Sequence, residues 1–350
     1  MMLCATNRSL SPHAPRALLR AWTLAAVLQA ALFARPADAT THDFPPGDSL
    51  PSEIRTSLAP GDTLLVSPGA RRVHETLPSG ITIRGQSTLD AVIFTPGRPE
   101  SPIFVILPGA DTTRVENVTF DCTSDQLATG LYFRSAVMSV RGNRFTGGYA
   151  IKADSSSGII VENSFDVVKS AVRCDQSTIW IDRNDIVGAT DAAISMRGSP
   201  LRITRNRIVQ NVNTGIVVTG KRFAPVIGGE PGMGNEIHGG FNSDVFTTGG
   251  KPINAQYNYW GIKSTEEMNL LGYPANITAV CDGWDQDKAA GMVDYRNWLD
   301  RPGGQPVKMK KRGAAGLGAG RTTVAIVALV VLVAVGAVLG ARRRKPSESA

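Results

Sequence analysis

The sequence predicts an all-β fold: a parallel β-helix, in which one chain winds through stacked coils of short strands. A phrase of apolar residues, an asparagine and another apolar residue recurs every 20 to 22 residues in the middle of the chain. The runs between are rich in Val and Ile and lack a helical 3.6-residue pattern. The 36 Gly and only 6% aromatic residues suit an aliphatic core interrupted by many turns. A single solenoid of about 20–25-residue coils follows.

The asparagine is the best marker of coil register. The phrases V-R-G-N-R-F, I-V-E-N-S-F, I-D-R-N-D-I and I-T-R-N-R-I contain Asn143, Asn163, Asn184 and Asn206. With coils about 4.8 Å apart, we expect these amides to form a structural ladder at a turn, because Asn tolerates left-handed backbone angles and can bond to the amides above and below. Looser copies contain Asn117, Asn235 and Asn258. We expect an interior column of Val140, Ile160, Ile181 and Ile203.

The amino-terminal segment 1–39 predicts a signal peptide. Basic residues extend to Arg20, an apolar run covers Ala21 to Phe33, and Ala37–Ala39 has the small-x-small form of a cleavage site. The alternative is an amino-terminal membrane anchor. The run of 13 residues is too short for it, because a helix rises 1.5 Å per residue and the bilayer core is about 30 Å thick.

The carboxyl-terminal segment predicts a membrane anchor. Thr322 to Ala341 is uncharged and long enough to span a bilayer, and the cluster Arg342–Lys345 that follows is typical of a cytoplasmic stop-transfer signal. A type I membrane protein with its β-helix outside the cytoplasm, in the periplasm or at the cell surface, follows. Cleavage of this segment as a sorting signal is the alternative. The expected domains are the β-helix ectodomain 40–301, a flexible basic linker 302–320, a transmembrane helix 321–341 and a short basic tail 342–350.

The net charge of +7 does not indicate a nucleic-acid partner. The segment between the predicted targeting flanks contains 24 basic and 28 acidic residues, so the basic surplus belongs to the flanks. We expect no nucleic acid and no cofactor. After signal cleavage, Cys122, Cys174 and Cys281 remain, an odd number that permits one disulfide without choosing the pair.

Phrases at both ends of the predicted ectodomain resemble the pectin-lyase-like superfamily of right-handed parallel β-helices, in its uncharacterised bacterial exported group. The opening carries a helix-like Pro51–Leu58, then A-P-G-D-T-L-L-V-S-P-G at Ala59–Gly69 and S-G-I-T-I-R-G at Ser79–Gly85. The far end carries N-Y-W-G at Asn258–Gly261 and G-M-V-D-Y-R-N-W-L at Gly291–Leu299. The resemblance covers nearly all of the ectodomain and implies a capped, right-handed coil. It does not single out one activity, because such folds host many functions.

The aromatic residues near the carboxyl end fit two roles. Tyr259 and Trp260 can form a sugar-stacking platform or a plug that closes the last coil, and we favour the plug. We extend the same interpretation to Trp284 and Trp298.

Aligning the coils on asparagine predicts a charged outward face. One column contains Tyr132, Lys152, Arg173, Ser195 and Val217, and the next contains Arg134, Asp154, Asp175, Arg197 and Thr219. We expect Lys152 to pair with Asp154 and Arg173 to pair with Asp175, with Arg134 and Arg197 bracketing the two carboxylates.

Three functions fit this face. The favoured one is a non-catalytic, membrane-tethered module that binds glycan or protein. The second is a lyase or hydrolase for acidic polysaccharides, and here the resemblance implies catalysis on an exterior sheet. Asp154, Asp175, Arg173 and Lys152 are its candidate catalytic residues, and Arg134, Arg197 and Tyr132 are candidate ligand contacts. The third, a periplasmic maturation factor for copper enzymes, lacks a Met, His or Cys metal site. His74 and His238 have no partner spacing for metal binding or acid–base chemistry.

Overall fold

A computed structural model describes residues 39–285 and 290–308. The predicted transmembrane helix, the tail and all but the last residue of the signal peptide lie outside these residues. Of the predicted linker, only 302–308 is described. No helix within the described residues is long and apolar enough to cross a membrane.

The described chain forms one parallel β-helix of about eight turns, as the repeat predicts. In the middle of the chain each coil contributes one strand to each of three sheets, and every strand pair is parallel because the chain returns to the same sheet one coil later. Sheet 1 contains β1 (Thr41–Phe44), β2 (Thr63–Val66), β5 (Thr82–Gly85), β8 (Gly109–Glu116), β11 (Ala136–Arg141), β14 (Ser157–Val161), β17 (Thr178–Asp182), β20 (Arg202–Thr204), β23 (Val226–Ile227), β26 (Ile253–Asn254) and β28 (Val293–Asp294).

Sheets 2 and 3 complete the coil. Sheet 2 contains β3 (Gly69–Val73), β6 (Val92–Pro96), β9 (Thr119–Cys122), β12 (Arg144–Gly147), β15 (Ser164–Asp166), β18 (Asp185–Val187), β21 (Arg207–Val209) and β24 (Glu236–His238). Sheet 3 contains β4 (Glu75–Leu77), β7 (Pro102–Ile106), β10 (Thr129–Arg134), β13 (Tyr149–Asp154), β16 (Ser170–Asp175), β19 (Ala192–Arg197), β22 (Thr214–Thr219), β25 (Ser243–Thr247) and β27 (Val280–Cys281). A 3-10 turn at Leu89–Ala91 precedes β6.

The core is a set of columns that run along the coil axis. The predicted column of Val140, Ile160, Ile181 and Ile203 is confirmed, since the four residues are register partners in sheet 1 and are fully buried. Sheet 2 adds an aromatic column in which the rings of Phe120, Phe145 and Phe165 stack with centroids 4.9 and 5.0 Å apart. That spacing is the strand spacing of a sheet, so every coil adds one ring contact.

The repeated asparagines occupy one buried stack at the turn between sheets 1 and 2. Asn143 Nδ2 donates to Asn163 Oδ1 at 3.1 Å, and the same bond continues from Asn163 to Asn184 and on to Asn206. Two of the looser copies extend the stack, through Asn235 to Asn258. Each amide also bonds to backbone groups at the turn: the Asn163 side chain, for example, accepts the N–H of Asn143 and donates to the carbonyl of Val140.

The left-handed residue of each turn is not the stacked asparagine, so the expectation that Asn adopts left-handed angles here is wrong, whereas the expected bonding between amides is confirmed. Positive φ falls on the preceding residue, at Gly142, Glu162, Arg183 and Arg205. Asn117 has a φ of 57° itself and therefore occupies the turn position, while Val118 takes the ladder position and donates its N–H to Asn143 Oδ1. The asparagine is needed for its side-chain hydrogen bonds rather than for its backbone angles.

A second ladder, which was not predicted from the sequence, lies at the turn between sheets 3 and 1. The backbone N–H of Ser156 donates to Ser177 Oγ at 3.1 Å, and that of Ser177 donates to Ser199 Oγ at 3.0 Å. Each hydroxyl in turn donates to the carbonyl two residues earlier in its own coil. Each of these serines directly follows one residue with positive φ, as each asparagine does in the other turn.

Both ends of the coil are covered. Helix α1 (Ser52–Ser57) lies within the predicted Pro51–Leu58, and nearby the buried Arg71 donates to the carbonyls of Phe44 and Ser67 at 2.7 Å. Helix α2 (Gly261–Leu271) lies at the other end, where Trp260 and Trp298 are buried as plugs. The same expectation for Trp284 is wrong, because its side chain is 54% exposed.

No disulfide joins the three described cysteines, so the pair that the sequence permitted does not form. Burial raises the pKa of the Cys122 thiol to about 12, with the carboxylates of Asp121 and Asp125 adding to the effect. Burial also raises the pKa of Cys174. Both thiols therefore act as small apolar core groups.

Candidate functional site

Strand register brings all seven predicted site residues onto the outward face of sheet 3. The first row contains Tyr132, Lys152 and Arg173, on β10, β13 and β16. The second row contains Arg134, Asp154, Asp175 and Arg197, continuing onto β19. Neighbouring residues in a row are one strand spacing apart, which places them within reach of one another.

Tyr132, Lys152 and Asp154 form one contact group. The phenol of Tyr132 donates to Asp154 Oδ2 at 2.6 Å, and Lys152 Nζ lies 3.5 Å from the same oxygen. Lys152 Nζ also lies 4.3 Å from the centre of the Tyr132 ring, within cation–π range. Partial burial, followed by the bond to Asp154, raises the pKa of Tyr132. The phenol therefore stays protonated and acts as a donor.

Asp175 and Arg197 form the second ion pair on this face. Arg197 Nε donates to Asp175 Oδ1 at 3.1 Å while Nη2 contacts Oδ2, so both carboxylate oxygens are engaged. The bond to Arg197 holds the pKa of Asp175 below its ordinary value. A carboxylate held in this way is a poor proton acceptor.

Two of the expected ion pairs are not formed. Arg173 does not pair with Asp175, and its guanidinium lies 4.8 Å from the ring centre of Tyr149 instead. Arg134 lies over Tyr132 at 5.9 Å and forms no ion pair with a described carboxylate. The guanidinium of Arg197 already binds both oxygens of Asp175, and Tyr132 and Lys152 both contact Asp154. The guanidinium groups of Arg173 and Arg134 therefore lie over aromatic rings.

The structure adds Tyr149 and Lys169, which sequence reasoning missed. Lys169 Nζ lies 5.0 Å from the Tyr149 ring, so this tyrosine contacts two cations. Side chains alternate between the two faces of a strand, so the sequence predicts that Tyr149, two residues before the buried Ile151, also points into the coil. The turn breaks that alternation, since Ala150 and Ile151 are both buried and Tyr149 faces outward. Lys169 could have been found from the sequence, because it lies in the turn directly before β16.

We call this surface the cationic face. It consists of Arg134, Lys152, Lys169, Arg173, Arg197, Tyr132, Tyr149, Asp154 and Asp175. Five cations face two carboxylates, and both carboxylates are already engaged. The face can therefore bind anions through its surplus cations, two of which lie over each tyrosine ring.

The cationic face is open around β13 and β16, because connections of only one to three residues flank these strands. The connection before β10 is longer, with six residues between Cys122 and Thr129. Clefts of about 480, 450 and 370 Å³ are lined by other residues, beside residues 299–306, near α1 and beside α2. An open face admits a long polymer and does not exclude water from a reacting group.

The described residues contain no group of three or more His, Cys, Asp or Glu side chains that could hold a metal ion. His74 Nδ1 lies 2.7 Å from the carbonyl oxygen of Pro102, and His238 Nε2 lies 2.9 Å from Glu236 Oε1.

Comparison with known proteins supports the fold. The model of the family described as "Right handed beta helix region" matches residues 79–229, which span β5 to β23. The architecture is therefore that of the right-handed parallel β-helices, as the terminal phrases predicted. No curated protein matches the chain.

A solved structure of a PL6 family alginate lyase, a mutant of AlyGC, is similar to this chain. The identity is 12% and the TM-score is 0.29. The match covers 75% of this chain but only 40% of the lyase.

Proposed function

We propose that this protein is a membrane-tethered β-helix that binds acidic polysaccharide outside the cytoplasm, without catalysis, through the cationic face. The observation that carries the proposal is the surplus of cations on an open sheet whose two carboxylates are already bonded. Export and tethering rest on the predicted signal peptide and the predicted anchor.

An acidic polymer suits this geometry better than a small ligand. The coils repeat about every 4.8 Å, so Lys152 and Arg173 lie one strand spacing apart in the first row, and Arg134 and Arg197 lie at the two ends of the second. A chain that carries several carboxylates can reach more than one of these cations at once. Tyr132 and Tyr149 position these cations, since Arg134 and Lys152 lie over the first ring and Lys169 and Arg173 lie over the second. Many weak, partly screened contacts would add up to binding that weakens with salt.

We favour binding without catalysis because of the protonation states of the titratable groups on the cationic face. Asp175 is held in its charged form by Arg197, and Tyr132 keeps its proton and donates it to Asp154. A general base must take up a proton near the working pH, whereas the pKa of Asp175 is lowered and Tyr132 already carries its proton.

Binding can be tested with residues 39–308, which contain the complete described core. Polygalacturonate and alginate are expected to retard this protein in affinity electrophoresis, dextran is not, and retardation should decrease as salt is raised. Equal retardation by dextran, or none by either acidic polymer, would rule out the proposal.

A polysaccharide lyase or hydrolase at the same face is the second candidate. One observation favours it: Tyr132, Lys152 and Asp154 form a compact group of three titratable side chains. Incubation with uronate polymers, followed by absorbance of unsaturated product and by reducing ends, tests it. Product that disappears in Tyr132→Phe and Lys152→Ala would establish catalysis and overturn the non-catalytic proposal.

A further inference from the structure

A buried carboxylate holds the amino-terminal end of the described chain. Asp62 directly precedes β2, and its side chain is 7% exposed. Its Oδ1 accepts the N–H of Thr40 at 2.8 Å, and its Oδ2 accepts the N–H of Ala59 at 2.9 Å. His42 is the titratable group that faces this carboxylate, with Nε2 3.3 Å from Oδ2.

Thr40 is fixed on both sides of its Cα atom. Its carbonyl accepts the N–H of Thr63 at 2.8 Å, next to the pairing of β1 with β2. Its nitrogen bonds to Asp62, as described above. Ala39 and Thr40 are nevertheless both exposed, so the peptide bond between them is accessible to a protease.

The nitrogen of Thr40 is the one that the predicted signal-peptide cleavage releases. The small-x-small site Ala37–Ala39 places the cut between Ala39 and Thr40, where a signal peptidase of the exporting cell would act. Water adds across that bond, so Ala39 leaves with a carboxylate on the released peptide and Thr40 keeps the nitrogen as a primary amine. An α-amine has an ordinary pKa of about 7.7–8.0 and therefore carries a proton at neutral pH.

The new positive charge would arise beside a negative one. Burial raises the pKa of Asp62, but the bonds from Thr40, Ala59 and His42 together lower it below its ordinary value, so the carboxyl group is charged at neutral pH. His42 supplies a positive charge only when it is protonated. An ammonium group at Thr40 supplies one at neutral pH whatever the state of the imidazole. Cleavage would thus convert a bond from a neutral N–H into an ion pair, which is stronger where water is largely excluded.

We propose that Thr40 is the amino-terminal residue of the exported protein and that its ammonium group forms an ion pair with the buried carboxylate of Asp62. Removal of the signal peptide then completes the amino-terminal end of the β-helix, and the uncleaved precursor is the less stable form. The inference rests on the export that is part of the proposed function, and it is independent of polymer binding at the cationic face.

The test compares two chains that differ by one residue, both in detergent micelles. One contains residues 40–350 and begins at Thr40. The other contains residues 39–350 and begins at Ala39, so its charge lies one residue earlier and Thr40 keeps a neutral N–H. We expect the equilibrium constant of unfolding at pH 7, measured with urea, to be about fivefold smaller for the chain that begins at Thr40.

The difference between the two chains should depend on pH. An ammonium group paired with a carboxylate stabilises the fold fully below the pKa of the unfolded amine, about 8, and this stabilisation is lost as pH rises further and the folded amine releases its proton. The difference should therefore disappear at about pH 10.5. His42 is present in both chains and does not contribute to it.

Two carboxylate variants, each introduced into both chains, identify the partner of the amine. Asp62→Asn should abolish the difference in stability. Asp43→Asn is the matched control, because Asp43 is an exposed carboxylate on β1, and it should leave the difference unchanged. A second measurement does not require Asp62→Asn to fold. Acylation of the Thr40 amine, followed by mass spectrometry of the amino-terminal peptide, should need a higher pH in the folded chain than in urea.

Amino-terminal sequencing of the protein that a bacterial host exports with its own signal peptide should find Thr40 first. Another first residue would overturn the ion pair, and a retained Met1 would also remove the export on which the proposed function depends. With Thr40 first, equal stability of the two chains at pH 7, or equal pH dependence of acylation in folded and unfolded chains, would overturn this inference alone. Polymer binding would then be unaffected.

Discussion

The middle coils and the carboxyl-terminal end of this β-helix satisfy their polar groups in different ways. Between β10 and β22, coils of nearly constant length let one asparagine or serine bond to its equivalent in the next coil. Beyond β22 the asparagine spacing grows to 29 and 23 residues and several strands shrink to two residues. Three of the five buried side-chain atoms without a partner in the described part lie between Ser243 and Thr265.

The comparison shows what a constant repeat achieves. Where the period is fixed, the same side chain meets itself one coil later, and stability is built by repetition. Where the period is broken, the asparagine ladder still continues through Asn235 and Asn258, but Ser243 Oγ, Trp260 Nε1 and Thr265 Oγ1 find no partner among the described residues.

The largest effect is expected from Phe145→Ala in the aromatic column. Its ring is stacked on both sides and 1% exposed, so truncation leaves a cavity and should destabilise the fold by about 3–5 kcal/mol. Urea unfolding measures this. Phe241→Ala at the irregular end is the control and should change stability by less than about 0.5 kcal/mol, because that ring is exposed. Similar losses for both variants would refute the described core.

Asn184→Ala removes a member from the middle of the ladder. Without the Asn184 amide, Ile160 O and Asn206 Oδ1 lose the donor Nδ2, and Asn163 Nδ2 loses its acceptor Oδ1. Because these groups stay buried, we expect a loss of about 2–4 kcal/mol in thermal or urea unfolding. The exposed Asn242, changed to Ala, should cost almost nothing. A ladder variant that unfolds like wild type would show that the stack contributes no stability.

Asp244 should make stability depend on pH. Burial raises its pKa to about 6, against about 4 in an unfolded chain. Between these values the folded state keeps the proton and the unfolded state releases it, so stability falls as pH rises from about 4 to about 6. Two pKa units correspond to about 3 kcal/mol. Asp244→Asn should match wild type at pH 4 and exceed it at pH 8 in urea unfolding. A variant that is no more stable than wild type at pH 8 would contradict this assignment.

The smallest stability effect is expected from Ser177→Ala in the serine ladder. The substitution removes the acceptor for the N–H of Ser156 and should cost about 1 kcal/mol. The outward-facing Ser195, changed to Ala, is the control on the neighbouring strand. Equal unfolding midpoints for wild type, Ser177→Ala and Ser195→Ala would show that the serine ladder does not stabilise the fold.

The sequence repeat made the coils and their core columns predictable. The placement of residues at turns and the pairing of surface side chains could not be predicted. Residue columns such as Val140, Ile160, Ile181 and Ile203 follow from spacing alone, since parallel stacking fixes the register. The exposure of Tyr149 did not follow, because it depends on a turn that places two consecutive residues inside. The pairing of Arg173 did not follow either, because a long side chain chooses between a carboxylate and a ring only once neighbours are positioned. The cleft beside α2 joins segments that no repeat relates.

The polymer-binding claim is tested most directly by a matched pair of double variants of residues 39–308. Lys152→Ala/Arg173→Ala removes two cations from the cationic face. Arg202→Ala/Arg207→Ala removes two from the outward faces of sheets 1 and 2. Affinity for polygalacturonate at fixed, low salt should fall about tenfold or more in the first double variant and stay close to wild type in the second. Equal loss in both, or no loss in the first, would contradict the account.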